Sequence, residues 1–125
     1  MLNSKRILLV EDEPLLCEIY QETLSEAGFL VETAVDGNAA LDKLRLYEYD
    51  LVLLDVMLPG KDGYQILNNL QEEKRLDKHG KIVLMSNLDQ NNLTEEGSVF
   101  GINDILIKSD LAPNEFLEKV KEFLQ

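Results

Sequence analysis

Five short apolar runs divide this chain, and they leave few folds open to it. Ile7-Leu8-Leu9-Val10, Leu51-Val52-Leu53-Leu54, Ile82-Val83-Leu84-Met85 and Ile105-Leu106-Ile107 are continuous, while Phe29 to Thr33 is shorter and mixed. Continuous apolar strands belong to parallel sheets covered on both faces. The stretches between the runs carry helical periodicity. Leu15, Leu16, Ile19, Tyr20 and Leu24 follow Pro14, a favoured first helical residue, and Gly28 stops that helix. Gly37 opens a second helix with Ala40, Leu41, Leu44 and Leu46 as its apolar side, and Gly63 a third with Ile66, Leu67 and Leu70. A weaker helix is predicted over Leu93 to Phe100, with Gly97 costing it about 1 kcal/mol relative to alanine. Pro113 opens the last, striped by Phe116, Leu117, Val120, Phe123 and Leu124. Five strand–helix units predict one α/β domain, with short right-handed crossovers.

What ends the runs matters as much as the runs. Glu11-Asp12 follow the first, Asp55 the third, Ser86 the fourth and Lys108 the fifth. In an open parallel sheet these carboxyl ends border one crevice, where such folds bind ligands. Any one of these residues alone reads as a turn residue, a helix cap or a surface charge. Together they place three carboxylates, a hydroxyl and an ammonium at one edge. Two carboxylates about 5 Å apart repel by roughly 3 kcal/mol at an effective dielectric of 20. Lys108 offsets part of this, and the remainder invites a divalent cation. All-oxygen ligands suit Mg2+, with Mn2+ as the alternative. A metal, an ammonium and a hydroxyl around an aspartate are equipped to hold a phosphoryl group, with Asp55 as nucleophile.

Composition narrows the functions. Among 125 residues, 24 acidic against 12 basic give a net charge of −12, which argues against nucleic acid or an anionic membrane as direct partner. The one cysteine, Cys17, excludes an internal disulfide framework and fits a reducing compartment. No run approaches the roughly 20 apolar residues a membrane helix needs, and the N-terminus lacks a signal-peptide core. A cytoplasmic protein is expected. His79 is expected at the surface, in a charged loop, and Cys17 in the core or at its boundary.

The pair Glu11-Asp12, the run Asp55-Val56-Met57-Leu58-Pro59-Gly60-Lys61-Asp62-Gly63, Ser86, and Lys108 after Gly101-Ile102-Asn103-Asp104 together resemble the receiver domain of two-component response regulators, from about Lys5 to Leu124. The resemblance implies a flavodoxin-like doubly wound five-stranded parallel sheet, order 2-1-3-4-5, with five helices. One receiver domain is expected over residues 1–125, and, the last predicted element being the fifth helix, no effector domain. It implies that Asp55 takes a phosphoryl group from a phosphohistidine of a sensor kinase or a histidine phosphotransfer protein. Mg2+ would be bound by Asp12, Asp55 and the backbone carbonyl of Met57, with Glu11 acting directly or through water. Ser86 and Lys108 would contact the phosphoryl oxygens. Such a chain is a switch, not an enzyme beyond its own phosphorylation and dephosphorylation. Its output would be a shifted face of helix four, strand five and helix five, read by a downstream protein or by a second copy in a homodimer. Candidates on that face are Asn91, Asn92, Glu95, Glu96 and Ile105.

The chain departs from the family pattern at Ile105, where an aromatic residue is usual, and at Ser109, where proline usually follows the lysine in a cis bond. A trans bond, or a strained cis bond, is expected at Ser109. Asn87 is bulkier than the usual small residue. Met57 and Leu88 flank the path of hydrolytic water, and two apolar side chains predict slow dephosphorylation. The alternative is a degenerate receiver that binds proteins without phosphorylation. A phosphatase of the haloacid-dehalogenase type needs a second aspartate where Met57 stands. A flavin-nucleotide carrier would not place Glu11-Asp12-Glu13 against a phosphate.

Overall fold

The computed structural model describes residues 5–87, 91–108 and 111–125, the side chains of 91 and 92 set aside. Among them the chain alternates β1 (Arg6–Val10), α1 (Pro14–Glu26), β2 (Leu30–Ala34), α2 (Gly37–Leu46), β3 (Leu51–Asp55), α3 (Gly63–Glu72), a 3-10 turn (Leu76–Lys78), β4 (Lys81–Ser86), α4 (Asn91–Ser98), β5 (Asp104–Ile107) and α5 (Pro113–Phe123). The strands are parallel and lie in the order β2-β1-β3-β4-β5. This is the doubly wound sheet expected.

Alternation along the strands divides the core into two layers. Leu8, Val10, Val52, Leu54, Ile82 and Leu84 face α2, α3 and α4, packing with Ala40, Leu41, Leu44, Ile66, Leu67, Leu70 and Leu93. Ile7, Leu9, Leu51, Leu53, Val83, Met85 and Leu106 face α1 and α5, meeting Cys17, Tyr20, Leu24, Phe116 and Val120. Cys17 is buried, as expected. Burying a leucine or isoleucine side chain contributes about 1.5–3 kcal/mol, so these layers dominate the favourable side of folding.

Element ends differ from expectation for local reasons. Phe29 is not in β2, because its N–H bonds the Leu24 carbonyl at 3.2 Å and closes α1. Helix α4 ends at Ser98, since the Phe100 N–H turns back to the Gly97 carbonyl at 3.0 Å. Gly97 itself is required: a Cβ there would stand 2.9 Å from the Ile102 carbonyl oxygen and 3.0 Å from Leu84. Leu15 and Leu46, counted on apolar sides, are 65% and 73% exposed.

His79 overturns its expected surface position, being only 6% exposed. The Tyr49 N–H donates to its Nδ1 at 3.1 Å, which leaves the proton on Nε2, 3.2 Å from the Leu44 carbonyl. Its ring stacks against Tyr49. It is a satisfied core histidine that ties α2 and β3 to the start of β4.

Candidate functional site

Strand register brings the polar ends level. Val10 pairs with Leu54, Leu54 with Leu84 and Leu84 with Ile105. Glu11 and Asp55 therefore leave neighbouring strands side by side, with Ser86 and Lys108 just beyond on β4 and after β5. Alternation continues past the strand ends: Glu11 follows Ile7 and Leu9, Asp55 follows Leu51 and Leu53, and Lys108 follows Leu106. These three point toward the α1/α5 side, whereas Ser86 continues the Ile82–Leu84 row on the other side. The Glu11 N–H is held by the Ala34 carbonyl at 3.0 Å and the Lys108 N–H by the Ser86 carbonyl at 2.8 Å.

The Lys108 ammonium donates to Glu11 Oε1, and to Asp55 Oδ2 at 2.5 Å. The second oxygens are also engaged. Asp55 Oδ1 accepts the Met57 N–H at 2.9 Å, and Glu11 Oε2 accepts the Glu13 N–H at 3.2 Å. Glu11, Asp55, Ser86 and Lys108 are all buried, while Asp12 is exposed at the mouth. Burial pulls the Lys108 pKa down, but hydrogen bonds to Asp55 and then Glu11 outweigh it and hold the ammonium charged. Burial pushes the Glu11 carboxyl above its usual range, exceeding the opposing bond and charge of Lys108. The Lys108 contact therefore favours the ion pair from both ends, and the rise at Glu11 reflects its desolvation.

The cleft, about 840 Å3, is lined by Glu11, Asp12, Asp55, Met57, Ser86 and Lys108 among others. Every sequence-predicted site residue therefore meets there. Carboxylate oxygens of Glu11, Asp12 and Asp55 lie within 4.8 Å of one another. With one ammonium against three carboxylates, this all-oxygen cluster suits a hard divalent cation. The loop after β3 is shaped by Gly63, where a Cβ would come within 2.9 Å of Val56 Cα and 3.0 Å of the Asp55 carbonyl oxygen. Asp62 caps α3 through the Gln65 N–H at 2.9 Å, so its carboxylate is already committed. The Met57 side chain stands 70% exposed at the rim. Leu88 and the Ser109 bond lie outside the described residues.

Size alone does not mark this cleft. Another of about 790 Å3 opens at the opposite end of the sheet, lined by Lys74, Lys78, His79, Lys81 and Asp104 among others. There His79 is satisfied by the backbone, and Lys81 lies 3.8 Å from Asp104 on the surface. No three carboxylates gather there among the described residues. Sequence reasoning did miss Tyr20, a buried hydroxyl on the α1/α5 side. Periodicity marks its ring as core but is silent about its oxygen.

Comparison with known proteins follows the same lines. The model of the response regulator receiver domain matches residues 7–121. Transcriptional activator protein IrlR of Burkholderia pseudomallei is 35% identical over 115 residues, covering 92% of this chain and 47% of that protein. The alkaline phosphatase synthesis transcriptional regulatory protein PhoP of Bacillus subtilis is 33% identical over 122 residues, 98% of this chain and 49% of that protein. The chain spans about half the length of the curated relatives it matches. Among solved structures, the Thermotoga maritima response regulator TrrA in complex with Mg2+ and BeF superposes with a TM-score of 0.78 at 33% identity, covering 96% of this chain and 99% of that one. Vibrio cholerae chemotaxis protein CheY4 gives 0.84 at 24% identity, covering 95% and 98%, a likeness of fold.

Proposed function

The chain belongs to the response regulator receiver domain family, and from that premise we propose that it is a phosphoacceptor switch with Asp55 as the acceptor. The observation that carries this reading is the setting of Asp55. Its carboxylate is buried in a cleft, bonded to the Lys108 ammonium and to the Met57 N–H, and clustered with Glu11 and Asp12.

In the proposed step an Asp55 oxygen attacks the phosphorus of a phosphohistidine on a kinase or phosphotransfer protein. The P–N bond breaks, its electron pair stays on the imidazole, and an aspartyl phosphate forms. Lys108 stands where it can turn from the carboxylate to the phosphoryl oxygens, and Ser86 approaches from the other side of the sheet. Glu11, Asp12, Asp55 and the Met57 carbonyl are the ligands assigned to Mg2+, which when bound would neutralise phosphoryl charge. The other residues work by position. β1, β3 and β5 hold the charged groups, and the Met57 N–H fixes the orientation of the Asp55 carboxylate.

Output follows as a two-state shift of the face made by α4, β5 and α5, read by a downstream protein or by a second copy. Ile105 and Ile107 pack against the α2–α4 core layer from β5, so Ile105 would have to transmit the change by aliphatic packing. The named relatives are transcriptional regulators, and the net charge of −12 argues against a direct nucleic-acid contact by this chain. Among the described residues no helix is long and apolar enough to cross a membrane, and the proposed place of action is the cytoplasm.

Intact mass measurement after incubation with acetyl phosphate and Mg2+ tests the reading. One added phosphoryl group, absent with EDTA and absent in Asp55→Asn, is expected. No added mass, together with failure to bind beryllofluoride, would replace it with a phosphorylation-independent binding module.

A further inference from the structure

The first turn of α2 closes on the loop that follows β3. Gly37, the first residue of α2, is buried. Its N–H is one of the donors that a helix start leaves free, and it is spent on the Pro59 carbonyl at 3.2 Å. A Cβ at Gly37 would stand 1.8 Å from the Lys61 carbonyl oxygen and 2.7 Å from the Lys61 Cβ. Its φ is not in the left-handed region, so space and not backbone conformation requires glycine here. Helix propensity alone would favour alanine. One residue on, Asn38 faces Gly60 of the same loop, where a Cβ would lie 3.3 Å from Asn38 Nδ2.

The loop held in this way reaches the cleft, which Val56, Met57, Leu58 and Asp62 help to line. The Met57 N–H holds Asp55 Oδ1 at 2.9 Å, and the Met57 carbonyl is the backbone oxygen assigned to Mg2+. Both ends of the loop are tied. The Gly63 N–H bonds the Val56 carbonyl at 3.1 Å, and the Asp62 carboxylate caps α3 through the Gln65 N–H at 2.9 Å. Lys61 therefore cannot yield toward α3, and Pro59 has a fixed φ. A push at the Lys61 carbonyl passes back along the loop toward Met57. Mg2+ demands near-octahedral geometry, so its ligands need a fixed frame.

Resting on the phosphoacceptor reading of Asp55, we propose that Gly37 is a positioning residue for the metal: the first turn of α2 is the wall against which the β3–α3 loop sets the Met57 carbonyl. Gly37 acts through the Pro59 and Lys61 carbonyls and touches neither metal nor phosphoryl group. Asp36 keeps the wall in place, since its side chain caps α2 by accepting the Ala39 N–H at 2.7 Å.

Calorimetric titration with Mg2+ tests this on wild type, Gly37→Ala and Leu44→Ala, with unfolding midpoints measured in EDTA. Leu44, 2% exposed on the same helix, packs in the core and does not line the cleft. Both variants are expected to lower the midpoint. Only Gly37→Ala is expected to weaken Mg2+ binding, by about tenfold, the low end of what disturbed supporting groups cost a metal site. Wild-type affinity in Gly37→Ala, or equal weakening in Leu44→Ala, overturns the proposal. Should Gly37→Ala fail to fold, Asp36 decides. Asp36→Ala frees the turn without a clash and is expected to bind Mg2+ several-fold more weakly. Asp36→Asn drops the charge but keeps a capping oxygen, and is expected to bind as wild type does. Full affinity in Asp36→Ala, or the same weakening in Asp36→Asn, rejects the role of the turn. Wild type that takes up neither Mg2+ nor beryllofluoride defeats the phosphoacceptor reading and the proposal with it. Wild type that binds both, with Gly37→Ala and Asp36→Ala matching it, defeats the proposal alone.

Discussion

Lys108 Nζ and Asp55 Oδ2 meet at 2.5 Å across 53 residues of chain, and the same ammonium bonds Glu11 from a third part of the sequence. One buried cation therefore joins the ends of three segments. Breaking a buried pair by removing one partner costs about 3–5 kcal/mol, since the other charge stays buried and unpaired. Lys108→Met is expected to lose stability of that order in urea unfolding without metal. Added Mg2+ should restore part of it by supplying the missing positive charge. A loss under 1 kcal/mol would mean that water reaches the pair far more than its burial indicates.

Metal binding should be visible without any phosphoryl donor. A ligand that binds only the folded state adds about 2.7 kcal/mol at one hundred times its dissociation constant. The wild-type unfolding midpoint is expected to climb with Mg2+ and to fall back with EDTA. Asp12→Ala should flatten this response while leaving the metal-free midpoint nearly unchanged, because Asp12 is exposed. A response that survives Asp12→Ala would place the ion elsewhere.

His79 predicts how stability depends on acid. Burial lowers its pKa below the ordinary 6.5 of a histidine, against a smaller rise from the Leu44 carbonyl. The unfolded chain thus binds a proton that the folded chain refuses. Stability is fully present above pH 6.5 and falls as the pH drops from there toward the lowered folded value, by up to about 1.4 kcal/mol per pH unit. His79→Gln should be less stable at neutral pH, since Gln cannot reproduce both ring contacts, yet lose this slope between pH 7 and 5. An equal slope in the variant would assign the acid sensitivity to other groups.

His79 and Tyr20 also mark where the sequence stops being legible. The site could be read because each functional group directly follows an apolar run, and parallel pairing gathers such ends whatever the helices do. His79 gave no such sign. Its partners, the Leu44 carbonyl and the Tyr49 N–H, lie 35 and 30 residues away, and its neighbours Asp77, Lys78 and Lys81 look like surface. Apolar spacing places the Tyr20 ring in the core, but whether a hydroxyl finds a donor or acceptor depends on packing between α1, α5 and the strand ends. Leu15 and Leu46 show the converse: periodicity assigns a face but not how far a neighbouring element covers it.

Met57 sets the last expectation, the lifetime of the phosphorylated form. Its N–H is spent on Asp55, and its thioether side chain projects at the rim of the cleft, 70% exposed. A thioether is a weak acceptor and cannot orient a water for attack on phosphorus. Hydrolysis of an aspartyl phosphate needs such a water in line with the breaking P–O bond, and holding one is an entropic gain that only a polar side chain supplies. Phosphorylated wild type should therefore lose its phosphoryl group slowly after removal of the donor, as followed by intact mass over time. Met57→Asn keeps the backbone N–H and carbonyl in place while adding a donor and an acceptor at the rim. It is expected to dephosphorylate several times faster, with no change in the unfolding midpoint. A wild type already fast, or a variant no faster, would mean that water is positioned by some other group in the cleft.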